Sequence, residues 1–282
     1  MTEIIKVELF RIKKSVLFWV MFGIIVALPI LAACTQLSIV GVTDTIIDAA
    51  NGSDSDLGAS YYGENLTISF LNGIAQYSSN AAILALITAA IVLSHEFSDG
   101  TIRNILLANR SRADLYFGYL ITTVIISMSF LLGNFASVMI VVAPIFGFGE
   151  LSAGQAVSAC FTSLALGIIA ILFVSSCMCM FLFAMRKQWA AILMPLLICF
   201  AAPVLIGFII GLVVMRMAVR GETEALASLA NNLRWVPFVG ISEYNCTNID
   251  GVIVGMHVLY FAVFIAMFVV IGFFTFRKAD LK

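Results

Sequence analysis

The feature that most constrains this chain is a series of long apolar stretches that carry almost no charge. Of its 282 residues, 62% are hydrophobic and 11% are charged, whereas soluble domains carry about 25% charged residues. So few charges could not cover a water-soluble fold of this size, but a lipid bilayer removes that need. Because helices satisfy their backbone hydrogen bonds within each span, the sequence predicts an all-α integral membrane protein.

Six of the apolar stretches are long enough to cross a bilayer as a helix, which takes about 20 residues. They are predicted at 16–40, 68–94, 115–146, 151–185, 189–215 and 252–276. Pro29, Pro144, Pro195 and Pro203 lie within these spans or near their ends and predict kinks. No polar loop is long enough for a soluble domain, so residues 1–282 are predicted to form a single transmembrane domain.

The basic residues predict how the chain is oriented. Cytoplasmic loops of membrane proteins are enriched in Lys and Arg, and with the N-terminus inside, twelve of the 15 Lys and Arg residues lie on the cytoplasmic side. The first outer loop, 41–67, has five acidic residues and no basic ones. We therefore expect a multi-pass protein of a bacterial plasma membrane with both termini in the cytoplasm. The twelve inner residues are Lys6, Arg11, Lys13, Lys14, Arg103, Arg110, Arg112, Arg186, Lys187, Arg277, Lys278 and Lys282.

Two flanking segments have features of the membrane interface. In 2–15, Ile5, Leu9, Ile12 and Val16 recur at helical spacing, with lysines away from that face, which predicts an amphipathic helix on the inner membrane surface. The alternative is a polar leader with chance periodicity. In the outer segment 216–250, we expect a short helix and a partly embedded stretch before the last span; the alternative is a solvated loop.

The inner segment that follows the second span is the most informative part of the chain. It begins with the acidic turn His95-Glu96-Phe97-Ser98-Asp99 and ends with Arg110-Ser111-Arg112. Asp99 or Thr101 can cap a short helix with an apolar stripe over 102–108. The pattern predicts a short amphipathic helix, parallel to the membrane, that presents a face to a cytosolic partner.

This segment resembles the ABC-2 family of transporter permeases. Members carry a pattern Glu-x3-Gly-Thr-x-[Arg/Lys]-x2-Leu-x4-Ser-Arg after the second span. The six spans, the interfacial N-terminal helix, the long outer loop before the last span and the charged tail 276–282 are also similar to that family. At the start of the third span, where members often carry Lys, this chain has Tyr116-Phe117-Gly118-Tyr119. The matching residues here are Glu96, Gly100, Thr101, Arg103, Leu106 or Leu107, Ser111 and Arg112.

The resemblance implies a type V exporter-like architecture in which segment 96–110 is a coupling helix that binds a separate ATPase. Two permeases, identical or homologous, would form the pathway, and an ATPase dimer would hold ATP and Mg. No Lys follows a Gly in this chain, so it lacks the Gly-x4-Gly-Lys phosphate loop. We therefore expect no catalytic residue, no cofactor and no nucleic-acid partner on this chain. The implied coupling residues are Glu96, Gly100, Thr101, Arg103, Leu106, Leu107, Arg110 and Arg112.

A stripe of polar residues on the second span is the candidate contact with cargo. Ser69, Asn72, Gln76 and Asn80 share one helical face, and amides that face lipid are costly. The stripe would line the pathway or the seam between two permeases; ordinary hydrogen bonding within one subunit explains it equally well. By family resemblance, the cargo would be an amphipathic peptide, antibiotic or lipid-like compound, and the direction export.

Other functions are compatible with a membrane protein of this size. A secondary transporter usually buries ionisable residues in the middle of its spans, and the predicted spans here have almost none. A non-transporting immunity subunit remains an alternative. A metalloprotease requires His-Glu-x-x-His, and here the fifth residue of the pattern that begins at His95 is Asp99. We also expect no metal site, because neighbours in Cys177-Met178-Cys179-Met180 point in different directions on a helix.

Overall fold

A computed structural model describes residues 2–31, 34, 81–95, 111–146, 152–185, 187–219 and 251–278. Within these ranges the chain is helical, apart from single residues that separate helices, and contains no strand. The prediction of an all-α membrane protein is therefore confirmed at the level of fold class. The helices are α1 (Thr2–Lys14), α2 (Val16–Leu31), α3 (Ala81–His95), α4 (Arg112–Ser137), α5 (Ala153–Met185), α6 (Gln188–Leu196), α7 (Ala202–Val219) and α8 (Gly251–Lys278).

Four helical stretches are long and apolar enough to cross a membrane: Arg112–Val141, Ala153–Met185, Trp189–Met217 and Gly255–Lys278. The bent pair α1–α2 adds a fifth if it is counted as one span. Helix α3 has 15 residues, which is about 22 Å of helix and shorter than a hydrocarbon core of about 30 Å. The predicted second span begins at residue 68, and its first part lies outside the described residues. Six spans therefore stay a prediction.

Two of the four prolines predicted to cause kinks, Pro144 and Pro203, follow π-helical turns, whereas Pro29 and Pro195 lie within α-helices. Helix α4 continues through the π-helical turn Val138–Val142 into Ala143–Phe146, and α6 joins α7 through Leu197–Ala201. Pro144 and Pro203 each follow a π turn by two residues. Because proline lacks the N–H of the i→i−4 ladder and its ring clashes with that carbonyl, a widened turn ahead of it keeps the helix continuous. The predicted irregularities are thus local changes in helical pitch.

Aromatic and small polar contacts fix the directions of the core helices. Helix α4 runs antiparallel to α5, since the hydroxyl of Thr123 lies 3.4 Å from the Cys179 thiol, while Met139 contacts Cys160 near the other end. Helix α8 runs parallel to α5 and forms its most extensive contacts there. The ring pairs Phe173–Phe268 and Phe183–Phe276 have centroid separations of 5.5 and 4.6 Å. Helix α2 runs parallel to α4, with the Ser137 hydroxyl donating to the carbonyl of Val26 at 2.7 Å.

These directions bring the start of α1 and the end of α8 to the same end of the bundle. The start of α1 packs on the start of α4, which in turn contacts the end of α8. We call this the basic end because Arg112, Lys187, Arg277 and Lys278 lie there. The opposite end, where α5 begins, is called the far end.

Helix α1 is bent by 70° from α2 at Ser15. Its buried face consists of Ile4, Glu8 and Ile12, spaced four residues apart. Of the predicted apolar face, Ile12 is buried against the bundle, whereas Val16 is 76% exposed and already belongs to α2, beyond the bend. Contact of this face with the membrane stays a prediction. A helix at a steep angle to the following span is the arrangement that an interfacial helix requires.

Helix α7 is apolar on all sides and almost unburied within the chain. Large side chains such as Val204, Phe208 and Met215 are more than half exposed. In a membrane protein such a surface is covered by lipid or by another subunit.

Candidate functional site

The predicted coupling segment joins α3 to α4, and the structure describes its two flanks. Glu96, Gly100, Thr101, Arg103, Leu106, Leu107 and Arg110 lie outside the described residues, as do Ser69, Asn72, Gln76 and Asn80 of the predicted polar stripe. Arg112, the last residue of the motif, is described and opens α4. The site can therefore be built from the point at which the segment enters the bundle.

A capping interaction fixes where α4 begins. Ser111 has extended backbone angles (φ −70°, ψ 145°), and its hydroxyl oxygen accepts a hydrogen bond from the backbone N–H of Asp114 at 3.0 Å. The same hydroxyl donates to the Asp114 carboxylate at 2.7 Å. A serine N-cap with an acidic residue in the first turn satisfies free N–H groups and complements the positive helix end. The Ser-Arg pair that closes the motif thus sets the start of α4.

Arg112 connects this start to the end of α8. Its Nη1 donates to the carbonyl oxygens of Arg277, at 2.8 Å, and Phe276, at 3.3 Å. The last carbonyls of a helix have no partner within the helix and lie at its negative end, so a guanidinium is suited to this position. A residue of the motif therefore contacts an element 164 positions further along the chain.

Beneath Arg112, tightly packed aromatic residues join α4, α5 and α8. The hydroxyl of Tyr116 donates to the carbonyl of Val269 at 3.2 Å, and its ring lies 5.1 Å from that of Phe183. Gly272 faces this ring: a Cβ at position 272 would lie 2.5 Å from the Tyr116 hydroxyl and 3.0 Å from the Cα of Met180. The basic end is therefore a block in which three helices have little freedom to move separately.

The same block holds α1. A Cβ at Gly118 would lie 3.2 Å from Cγ2 of Ile4, so α1 rests directly on the backbone of α4. Beside this contact, Glu8 is buried, and one of its oxygens lies 3.5 Å from Arg11, while its Oε2 has no hydrogen-bond partner among the described residues. Tyr116 and Gly118 occupy the stretch where the family often carries Lys, and here they serve packing.

The polar residues of α4 serve mainly to pack helices. Thr122 and Ser129 donate to carbonyls of their own helix, and Ser127 lies 3.2 Å from the hydroxyl of Ser175 on α5. Such small polar residues allow close approach of helices in membranes. The thiol of Cys179, one of the residues considered for metal binding, contacts the hydroxyl of Thr123 on the same seam.

An apolar cavity of about 330 Å³ lies toward the far end, between α4 and α5. Its volume falls at the lower end of the range for small-molecule sites, roughly 300–1,000 Å³. It could not be predicted from the sequence, because it depends on how α4 and α5 pack against each other. It is lined by Phe135, Met139, Ala153, Ala156, Val157, Cys160, Phe161 and Leu164.

The helical fold and the long apolar spans define a multi-pass integral membrane protein, and comparison with known proteins gives its family. A family model described as ABC-2 family transporter protein matches residues 4–202, more than two thirds of the chain. The chain belongs to this family and is an ABC-2 type permease, as the motif and architecture predicted. The match includes α1 to α6 and the predicted coupling segment, and ends at the start of α7. No curated protein matches the chain.

Proposed function

We propose that this permease binds a separate ATPase through segment 96–110 and that Arg112 passes the movement of that segment to α4 and α8. The observation that supports the proposal most directly is the pair of hydrogen bonds from Arg112 to the last carbonyls of α8. A displacement of the segment that precedes Ser111 would act on a block in which α4, α5 and α8 are already joined. Docking at one place could thus move several spans together.

The basic end of the bundle also indicates how the permease is oriented in the membrane. We place the basic end in the cytoplasm, because Lys and Arg favour that side of a bacterial membrane. In a Cys34→Ser/Cys246→Ser background, a membrane-impermeant maleimide added to intact cells should label Ala153→Cys at the far end. It should label Lys278→Cys only after permeabilisation. The reverse pattern would overturn the proposed orientation and the docking site together.

The complete assembly would contain six spans per permease, two permeases and an ATPase dimer. Six spans result if α3 completes a crossing that begins near residue 68. The exposed surface of α7 is available for lipid or for the second permease. The energy would come from the partner ATPase, which would carry ATP and Mg.

The cargo proposed is an amphipathic peptide, antibiotic or lipid-like compound that is exported. The apolar cavity at the far end could hold an apolar part of such a compound. An ion-coupled transporter is disfavoured, because Asp, Glu, Lys and Arg occur only near the ends of the described spans. ATP-dependent uptake of labelled amphipathic peptides into inside-out vesicles would test the cargo class and direction.

The coupling proposal is tested by separating assembly from activation. The permease would be co-expressed with an ATPase encoded beside it, and both co-purification and ATP hydrolysis measured. Glu96→Gln and Arg103→Gln should reduce co-purification. Arg112→Gln should preserve co-purification, since its contacts are within the permease, but should reduce the stimulation of ATP hydrolysis severalfold.

Arg277→Gln is the matched control for Arg112. It removes a positive charge at the same end, but only the backbone carbonyl of Arg277 takes part in the contact. Stimulation should therefore stay close to that of the unmodified protein. If Glu96→Gln and Arg103→Gln bound the ATPase normally, the docking proposal would be wrong. If Arg112→Gln and Arg277→Gln behaved alike, the transmission through α8 would be wrong.

A further inference from the structure

We propose that the corner between α1 and α2 binds the headgroup of an anionic phospholipid. The corner is formed by Phe10, Lys13, Lys14 and Trp19. This inference concerns a surface that the coupling and the pathway do not use, and it is independent of the cargo.

Helix α1 has one side that packs on the bundle and one side that is exposed. Its side with Ile4, Glu8 and Ile12 is covered by the bundle. Phe10 is 60% exposed, and Lys13 and Lys14 are also exposed. Helical spacing puts these residues on the side away from the packed face. An aromatic ring of this size on an exposed helix side, at the end of a membrane bundle, is typical of contact with the bilayer interface.

Trp19 stabilises the bend between α1 and α2. The indole Nε1 of Trp19 donates to the carbonyl oxygen of Lys13 at 2.9 Å, which satisfies one of the unpaired carbonyls at the end of α1. Trp19 is itself 54% exposed. Tryptophan is enriched at the level of lipid headgroups. The hydrogen bond therefore places the backbone of Lys13 at that level.

Helix α1 carries a net positive charge. The segment Thr2–Lys14 has four basic residues (Lys6, Arg11, Lys13 and Lys14) and two acidic ones, Glu3 and Glu8. Of the two, Glu8 is buried on the packed face beside Arg11. The ammonium group of Lys14 lies 4.5 Å from the centroid of the Phe10 ring, so this lysine is held at the corner. Two lysines between two exposed aromatic rings complement the phosphate group of a lipid whose acyl chains enter the membrane.

The alternative occupant is an acidic surface of a cytosolic protein. The aromatic residues favour lipid, because both rings are exposed at the bend where the interfacial helix meets its span. A lysine at an anionic membrane surface increases association by about fivefold. Two lysines would therefore favour an anionic lipid over a zwitterionic one by up to about 25-fold at low salt.

The test uses the fluorescence of Trp19 in the full-length protein. Trp189→Phe and Trp235→Phe leave Trp19 as the single tryptophan of the three. The protein is placed in membranes of phosphatidylcholine and phosphatidylglycerol in which one lipid or the other is brominated, because bromine quenches a nearby indole. Quenching by the brominated phosphatidylglycerol should exceed quenching by the brominated phosphatidylcholine, and the difference should shrink in high salt.

Lys13→Gln/Lys14→Gln should reduce this lipid preference at least fivefold, and Lys13→Arg/Lys14→Arg should retain it. The matched control is Lys187→Gln/Lys278→Gln, which removes two exposed lysines from the same end of the bundle. The control should retain the preference. Equal quenching by the two lipids in the unmodified protein would overturn the proposal and favour a protein partner. An equal loss of lipid preference in Lys13→Gln/Lys14→Gln and in Lys187→Gln/Lys278→Gln would also overturn it. The preference would then come from the general positive charge of the protein on this side.

Discussion

The close approach of α8 to α5 at Gly272 gives a sharp prediction about stability. A methyl group at position 272 would lie 3.0 Å from the Cα of Met180, and 2.5 Å from the hydroxyl of Tyr116. The tyrosine side chain could turn aside, but the backbone of α5 could move only if the two helices separated. Gly272→Ala should therefore destabilise the protein, although alanine is the better helix former.

The magnitude follows from two effects. Overpacking a well-packed core costs about 1–3 kcal/mol, and turning Tyr116 away would lose its hydrogen bond to Val269, worth about 1 kcal/mol. The higher helix propensity of alanine relative to glycine offsets up to about 1 kcal/mol of this loss. The net loss is about 1–3 kcal/mol, and at roughly 2–4 °C per kcal/mol for large chains the melting temperature should fall by about 2–12 °C. Thermal denaturation of the purified protein, followed by size-exclusion chromatography, measures this.

Gly255 on the same helix is the matched control, because a Cβ there would meet nothing within 4 Å. Gly255→Ala should leave the melting temperature unchanged or raise it slightly. Tyr116→Phe removes the atom closest to the added methyl group, so it should cost less in the Gly272→Ala background than alone. Equal melting temperatures for Gly272→Ala and Gly255→Ala would refute the close packing of α8 on α5.

Three further predictions concern α1, α2 and α4. Gly133→Ala should destabilise by about 1–2 kcal/mol, because its Cβ would lie 2.7 Å from the ring of Phe22; Phe22→Leu should restore part of the loss, and additive thermal shifts would contradict the contact. Ser137→Ala should cost about 1 kcal/mol in a denaturation experiment, because it leaves a carbonyl of α2 without its donor; an unchanged midpoint would argue against this bond. Glu8→Met should be neutral or stabilising, because burying a carboxylate costs more than an ion pair with the partly exposed Arg11 returns; a melting temperature lowered by more than about 3 °C would show that Glu8 has a structural partner.

Several features of the fold could be predicted because they depend on local composition. A span is recognised by an uninterrupted apolar length, and the helices α4, α5 and α8 overlap the spans predicted at 115–146, 151–185 and 252–276. The family could be recognised from the motif that ends in Ser111 and Arg112, and the family match bears this out.

Contacts between distant parts of the chain could not be predicted in this way. Arg112 donates to the backbone carbonyls of residues 276 and 277. Every residue has such a carbonyl, so the sequence does not indicate which ones Arg112 contacts. The face of α1 that packs on the bundle was not predicted, because a charged residue, Glu8, lies in its middle. Periodicity identifies apolar faces, whereas the neighbouring helix decides which face is covered.

The sequence by itself determined that this chain crosses a membrane as helices and belongs to a permease family, because bilayer thickness sets the length and polarity of each span. The tertiary structure decided how those helices meet. Whether two helices can touch depends on the absence of a side chain at positions such as Gly118 and Gly272 and on what stands opposite. That is a property of pairs of surfaces, and it exists only once both helices are in place.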